Sequence, residues 1–242
     1  MKTLLILGSK PEPVLPPSSS YQDVACANGS GYSAAQYRLP APAFTVMTSL
    51  IASGIESGRQ SLQALTGLST GTLYFLRRRS RGGSTFGTLL RYIKTLREKR
   101  VYRMQPFYLK RVLRSLSYSH DRFVALTPKD YDGLVERLCD RDAGIHAQLQ
   151  RKRPSTGLIA LALAIDQQKY DRFILSGFSF ELTHPYAANP EIEQRGTVAS
   201  EHATTDVMVI GYLAKKLGNI FTTESSVHER VGVPFLPTAV EG

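Results

Sequence analysis

An α/β fold with a mostly parallel sheet is what the sequence predicts, and three observations predict it. Leu4-Leu5-Ile6-Leu7 is an uninterrupted apolar run stopping at Gly8, the pattern of a strand buried on both faces. Leu158 to Ile165 carries no charge over eight good helix formers, a composition that only a buried helix tolerates. Phe173-Ile174-Leu175-Ser176-Gly177 then follows, and a buried helix feeding a buried strand is half of a parallel α/β unit. With 242 residues the chain is long enough for one shared core. We read residues 1–242 as a single domain, with a helical, basic insertion at about 77–118.

The elements follow in order. The Gly8-Ser9-Lys10-Pro11 turn lies at the carboxyl end of the first strand, where ligands bind in open α/β sheets. It is not GxGxxG, so the dinucleotide fingerprint is absent. Residues 13–20, rich in Pro and Ser, read as a loop. Asp23 to Ala27 is a second strand ending in Asn28-Gly29-Ser30-Gly31. Phe44 to Met47 is a third, ending at Thr48. A helix is expected over Ser49 to Leu65, and a fourth strand over Thr72 to Leu76. Helical stripes appear at Thr85–Arg97 and Pro106–Leu116. Phe123 to Thr127 is another strand, and Pro128 opens a helix to Leu138, since Pro suits the first helical turn. Ser155 or Thr156 caps the charge-free helix, Pro154 ends what precedes it, and Phe173 to Leu175 reads as a central strand. His202 to Leu217 is the last long helix and Asn219 to Phe221 the last strand. The tail from Val227 is expected to wrap the surface.

Charge is concentrated. The chain has net charge +10. Arg77 to Arg114 holds thirteen Lys and Arg against Glu98 alone, so this segment carries +12 and the rest sums to −2. Such a segment is a solvated face, a patch for an anionic acceptor or lipid surface, or a nucleic-acid contact using Tyr92, Tyr102 and Tyr108 for stacking. No nucleic-acid module accompanies it. Cys26 and Cys139 have neither metal spacing nor the makings of a disulfide framework, which suggests a reducing compartment. No apolar run reaches membrane-span length, and the apolar N-terminus reads as a strand, not a signal peptide. Asp140-Arg141-Asp142 is formally a DxD triplet, but it follows a helix instead of an apolar strand and reads as a helix-end charge cluster.

The N-terminus of the charge-free helix, with unpaired N–H groups and the positive dipole end, suits an anion. Gly157 allows close approach to the backbone there. Arg153-Pro154-Ser155-Thr156-Gly157 and the strand ending in Gly177-Phe178 together resemble the small motif of the sialyltransferases. Thr183-His184-Pro185-Tyr186 resembles the third motif of that family, and Glu201-His202-Ala203-Thr204-Thr205-Asp206 its very small motif. The first strand and Asn28 resemble the large motif. Ser9 and Thr48 stand where that family has Asn, and Glu181 stands near where its bacterial members have a second phosphate-facing Tyr. An ionised carboxylate cannot donate to a phosphate.

The resemblance implies a Rossmann-like, GT-A-like sialyltransferase fold, with the basic insertion at about 77–118 in the place of that family's lid, and inverting transfer of sialic acid or Kdo from its CMP ester to a glycan or glycolipid hydroxyl. His202 would be the general base, and His184 and Tyr186 donors to the departing phosphate. Gly8, Ser9, Asn28, Thr48, Ser155, Thr156, Gly157 and Gly177 would bind substrate. No metal and no cofactor beyond the CMP-sugar donor is implied, because CMP leaves as a monophosphate. A cytoplasmic bacterial enzyme of surface-glycan (lipopolysaccharide or capsule) synthesis follows, peripheral at the inner membrane face through Arg77–Arg114. Two alternatives stay open: a nucleotide- or anionic-glycan-binding domain without turnover, and a metal-dependent nucleotide-diphosphate-sugar transferase.

Overall fold

The computed structural model describes residues 1–77, 103–181 and 199–236. Seven strands form one sheet: β1 (Thr3–Leu7), β2 (Asp23–Ala27), β3 (Phe44–Thr48), β4 (Ser69–Leu76), β5 (Ser119–Leu126), β6 (Arg172–Ser176) and β7 (Ile220–Thr222). Their order is β5-β4-β3-β2-β1-β6-β7, and every pairing is parallel. The chain therefore winds outward from β1 to β5, crosses back to β6 on the other flank of β1, and ends at β7. The direction of winding reverses between β1 and β6. In open α/β sheets the crevice at this reversal, at the carboxyl ends of the strands, is where ligands bind.

The helices among the described residues are α1 (Gly31–Gln36), α2 (Glu56–Ala64), α3 (Pro106–Ser115), α4 (Pro128–Leu138), α5 (Ala143–Arg151), α6 (Thr156–Asp166), α7 (Ala203–Leu217) and α8 (Ser225–Val231). The charge-free helix is α6. Every residue from Gly157 to Ala164 is buried, and α6 packs across β1, β2 and β3. Full burial of Leu158, Ile159 and Leu161 contributes about 1.5–3 kcal/mol per side chain. Leu5, Leu7, Val24 and Ile174 fill the core on the opposite face of the sheet. β1 is buried at all five positions, as its unbroken apolar run requires.

Several expectations need correction. The helix expected over Ser49 to Leu65 is two pieces, a 3-10 turn at Ser49–Ala52 and then α2. Gly54, at φ +86, separates them. β6 is interior but one strand from the edge, with β1 and β7 as neighbours. The C-terminal region does not simply wrap the surface, because Ser225–Val231 is helical and ends at Gly232 in the left-handed region. β4 and β5 each begin earlier than expected, at Ser69 and Ser119. The polar start Ser119-His120-Asp121-Arg122 hides a strand at the sheet edge, where no second face needs apolar side chains. Residues 78–102, with the stripe at Thr85–Arg97, lie outside the described residues. The last part of the expected insertion is α3, a crossover helix between β4 and β5 that is buried through Leu109 and Leu113.

Candidate functional site

The residues expected to bind substrate converge at the carboxyl edge of the sheet, around the β1/β6 reversal. β1 ends in Gly8, whose N–H donates to Ser176 O at 2.8 Å, while Lys10 N–H donates to Gly177 O at 3.0 Å. The approach is so close that a Cβ on Gly8 would lie 2.3 Å from Gly177 O. Gly177 itself is at φ +71, a conformation that favours glycine. Ser9 shares this turn.

One carboxylate fastens the turn from below. Glu224 is 1 % exposed. Its Oε1 accepts from Gly177 N–H at 2.8 Å and from Val14 N–H at 2.9 Å, and its Oε2 accepts from Lys10 Nζ at 2.6 Å. A buried carboxylate persists when its lone pairs are matched in this way. Nothing at the sequence level singled out Glu224 or Lys10, since they lie more than two hundred positions apart and belong to no motif.

Asn28, after β2, joins the other two edges. Its Nδ2 donates to Thr156 Oγ1 at 2.9 Å, and its Oδ1 accepts from Thr48 N–H at 3.0 Å. Asn28 is at φ +52, the left-handed region that Asn tolerates better than most residues. The structure thus brings Asn28, Thr48 and Thr156 into direct contact. Because Asn28 is the donor to Thr156, this bond does not use the Thr156 hydroxyl proton.

Ser155 is the cap of α6. Its Oγ accepts from Leu158 N–H at 3.1 Å, which leaves the Thr156 and Gly157 N–H groups without an acceptor among the described residues. Unpaired first-turn N–H groups at a positive dipole end suit an anion. The lack of a Cβ at Gly157 serves packing: a Cβ there would meet the Phe178 ring at 2.8 Å.

The first turn of α7 clamps the loop that leads into α6. His202 Nδ1 bonds Arg153 O at 2.8 Å, Thr205 Oγ1 donates to Lys152 O at 3.2 Å, and Asp206 Oδ1 accepts from Ser155 N–H at 3.0 Å. A carbonyl only accepts, so Nδ1 carries the proton and Nε2 of neutral His202 holds a lone pair. Burial pushes the His202 pKa down because the charged form loses solvation. Glu201 Oε1 lies 3.4 Å from His202 Nε2 and accepts from Arg153 Nη2 at 3.1 Å. Burial alone would raise the Glu201 pKa, but His202 when protonated, and the Arg153 guanidinium, hold it below its ordinary value. Asp206 is buried, and burial pushes its pKa up to about 7 against the opposing hydrogen bonds from Ser155. In the sequence Asp206 is only the last residue of the stretch resembling the very small motif, and nothing there gives it a role.

Three other expectations meet the structure differently. His184 and Tyr186 lie outside the described residues. Glu181 bridges Ala199 in antiparallel fashion, which brings together the two ends flanking residues 182–198. Asp140 accepts from Tyr212 Oη at 3.0 Å and pairs with Lys216 at 2.6 Å, while Asp142 Oδ1 caps α5 by accepting from Ile145 N–H at 2.9 Å. Both triplet carboxylates are engaged in helix-end bonds. Among the described residues no three His, Cys, Asp or Glu side chains cluster as metal ligands. Burial pushes the Cys26 thiol up to about 12 and Cys139 up to about 11, which makes neither a nucleophile at neutral pH. No described helix is long and apolar enough to cross a membrane.

No family model matches the chain, and no curated protein matches it in sequence. In structure it is similar to the sialyltransferase CstII from Campylobacter jejuni in complex with the substrate analogue CMP-3FNeuAc, at TM-score 0.54 and 14% identity. That match covers 98% of this chain and 87% of the other. It is similar to sialyltransferase CST-II in complex with trisaccharide acceptor and CMP, at TM-score 0.52 and 14% identity over 98% of this chain and 88% of that one. It also resembles the monofunctional alpha-2,3-sialyltransferase Cst-I from Campylobacter jejuni, at TM-score 0.50 and 14% identity over 99% and 82%. The single parallel seven-stranded sheet with flanking helices matches the GT-A-like sialyltransferase fold of CstII. At such identity the likeness is one of fold.

Proposed function

We propose that this protein is an inverting glycosyltransferase that moves an acidic sugar, sialic acid or Kdo, from its CMP ester to a glycan hydroxyl. The observation that supports it most is the state of His202. Its Nδ1 proton is committed to Arg153 O at 2.8 Å, and burial favours the neutral ring. Nε2 is thereby prepared to accept a proton beside an anion-binding helix end. In this reading the acceptor hydroxyl loses its proton to Nε2 as it attacks the anomeric carbon, and the bond to the CMP phosphate oxygen breaks. The imidazolium so formed lies next to Glu201, whose negative charge stabilises it. Thr156 and Gly157 N–H, with the Thr156 hydroxyl, receive the sugar carboxylate. Gly8, Ser9, Asn28, Thr48 and Gly177 line the nucleotide side. His184 and Tyr186 are assigned to the departing phosphate as neutral donors, so the reaction is expected to run without a metal. An acceptor in bacterial surface-glycan synthesis belongs to the same proposal.

The test is CMP release from CMP-sialic acid and from CMP-Kdo, with and without glycan acceptors and with and without EDTA. Acceptor-dependent release that survives EDTA is expected. Tight CMP binding with no release under any condition would instead favour a binding domain on the same fold. Loss with EDTA and recovery with magnesium would favour the nucleotide-diphosphate-sugar reading.

A further inference from the structure

α3 is one-sided in charge as well as in burial. Its inner residues Leu109 and Leu113 join Met47, Ile51 and Phe75 in the core. Its outer residues Phe107, Lys110, Arg111 and Arg114 are all exposed. They recur at i, i+3, i+4 and i+7, so they form one stripe. The helix carries no acid. Among the described residues no carboxylate pairs with Lys110, Arg111 or Arg114. Lys110 Nζ rests 4.3 Å from the centroid of the Phe123 ring, which holds that cation down against the surface. Phe107, at 53% exposure, adds an apolar contact at the N-terminal end of the stripe.

Three neighbouring cations with no paired carboxylate among the described residues repel one another, and an external anion relieves the repulsion. The stripe runs along the exposed side of a single helix. Cations with one exposed aromatic on a helix whose other side is anchored suit a helix lying along a lipid headgroup layer. We infer that α3 is a docking surface for an anionic lipid membrane. Its position gives the contact a purpose. A right-handed crossover between parallel strands runs its helix against the strand direction, so the N-terminus of α3 lies at the carboxyl edge of the sheet. There α3 packs on the turn Ser49–Ala52, directly after Thr48. A membrane on the stripe would thus lie at the rim of the candidate site, where a lipid-linked acceptor would arrive. The inference stands apart from the transfer reaction, because binding needs no donor.

The experiment is co-sedimentation of the full chain with phosphatidylcholine vesicles and with vesicles that also contain phosphatidylglycerol. Wild-type protein should bind the second and not the first, and binding should weaken with salt. The triple variant Lys110→Gln, Arg111→Gln, Arg114→Gln should bind anionic vesicles about a hundredfold more weakly, as expected for three near-surface charges. A control with equal loss of charge from exposed lysines elsewhere, Lys129→Gln, Lys169→Gln, Lys215→Gln, should stay within about threefold of wild type, since charges held away from the surface are screened. Equal binding to neutral vesicles, an unaffected stripe variant, or an equal loss in the control would overturn the inference. So would a single-stranded oligonucleotide that displaces the protein from anionic vesicles at equal anion concentration.

Discussion

His202 Nδ1 lies 2.8 Å from the carbonyl oxygen of Arg153, and this bond joins the candidate base to the loop that leads into α6. One contact thus sets both the tautomer of the ring and its place beside the helix end. If Nε2 is the base, His202→Ala should lower transfer by roughly 100-fold or more, while CMP affinity changes little. The rate should rise with pH through an apparent pKa below about 6.5, the value of free histidine, because burial disfavours the imidazolium. Glu201 favours the protonated ring, so Glu201→Gln should move that limb to still lower pH. A limb that persists unchanged in His202→Ala would remove the assignment.

Asn28 has a backbone role and a side-chain role, and two substitutions separate them. Asn28→Ala places a less tolerant residue at φ +52, at a cost of about 1–2 kcal/mol. It also removes the bonds to Thr48 and Thr156, each worth about 1 kcal/mol. Asn28→Gly removes the same bonds but relaxes the backbone. In urea denaturation the order of stability should be wild type, then Asn28→Gly, then Asn28→Ala, with CMP affinity reduced in both variants. A glycine variant less stable than the alanine variant would contradict this account.

Much of the fold was legible because its strands are short apolar runs and α6 is a helix without a polar face. The N-terminal part of β5 escaped notice because an edge strand needs no second apolar face. α5 and α8 were missed because each sends few side chains into the core, Ile145 and Leu149 from α5 and Val227 from α8. At the candidate site, motif order pointed to Asn28, Ser155, Thr156 and His202, which the fold gathers around the start of α6. It gave no access to Glu224, whose three partners meet only when the turns after β1 and β6 are folded. Asp206 escaped for a related reason: an acid in the first turn of a helix is ordinary until burial and its contact with Ser155 N–H become visible.

Gly8 and Gly157 should differ sharply when changed to alanine. At Gly8 the obstruction is backbone, Gly177 O at 2.3 Å, and it cannot move without displacing β6. At Gly157 it is the Phe178 ring at 2.8 Å, a side chain able to shift by a few tenths of an ångström. Gly8→Ala should therefore cost several kcal/mol or prevent folding, whereas Gly157→Ala should cost about 1–3 kcal/mol, the range for overpacking. Phe178→Leu should recover part of the Gly157→Ala loss, measured as coupling in a double-mutant cycle. Independent, additive losses would show that the ring is not the obstruction.

Asp206 predicts how stability depends on pH. Its pKa in the folded state is pushed up to about 7 by burial, against about 3.9 for a free aspartate. The folded protein therefore holds this proton more tightly than the unfolded chain does. Between pH 4 and 7 the unfolded state binds fewer protons at this position, so stability falls as pH rises through that window. The stabilisation linked to the proton is fully present below about pH 4 and lost above about pH 7. A shift of about three units corresponds to a change on the order of 4 kcal/mol. Asp206→Asn keeps an oxygen for Ser155 N–H and cannot ionise. Urea denaturation of both proteins at pH 4, 5.5, 7 and 8 isolates the contribution, because all other titrating groups are common to the pair. Wild type relative to the variant should lose stability steadily up to pH 7 and then level off. A constant difference across this range would mean that Asp206 is ionised throughout, and burial would then not govern its charge.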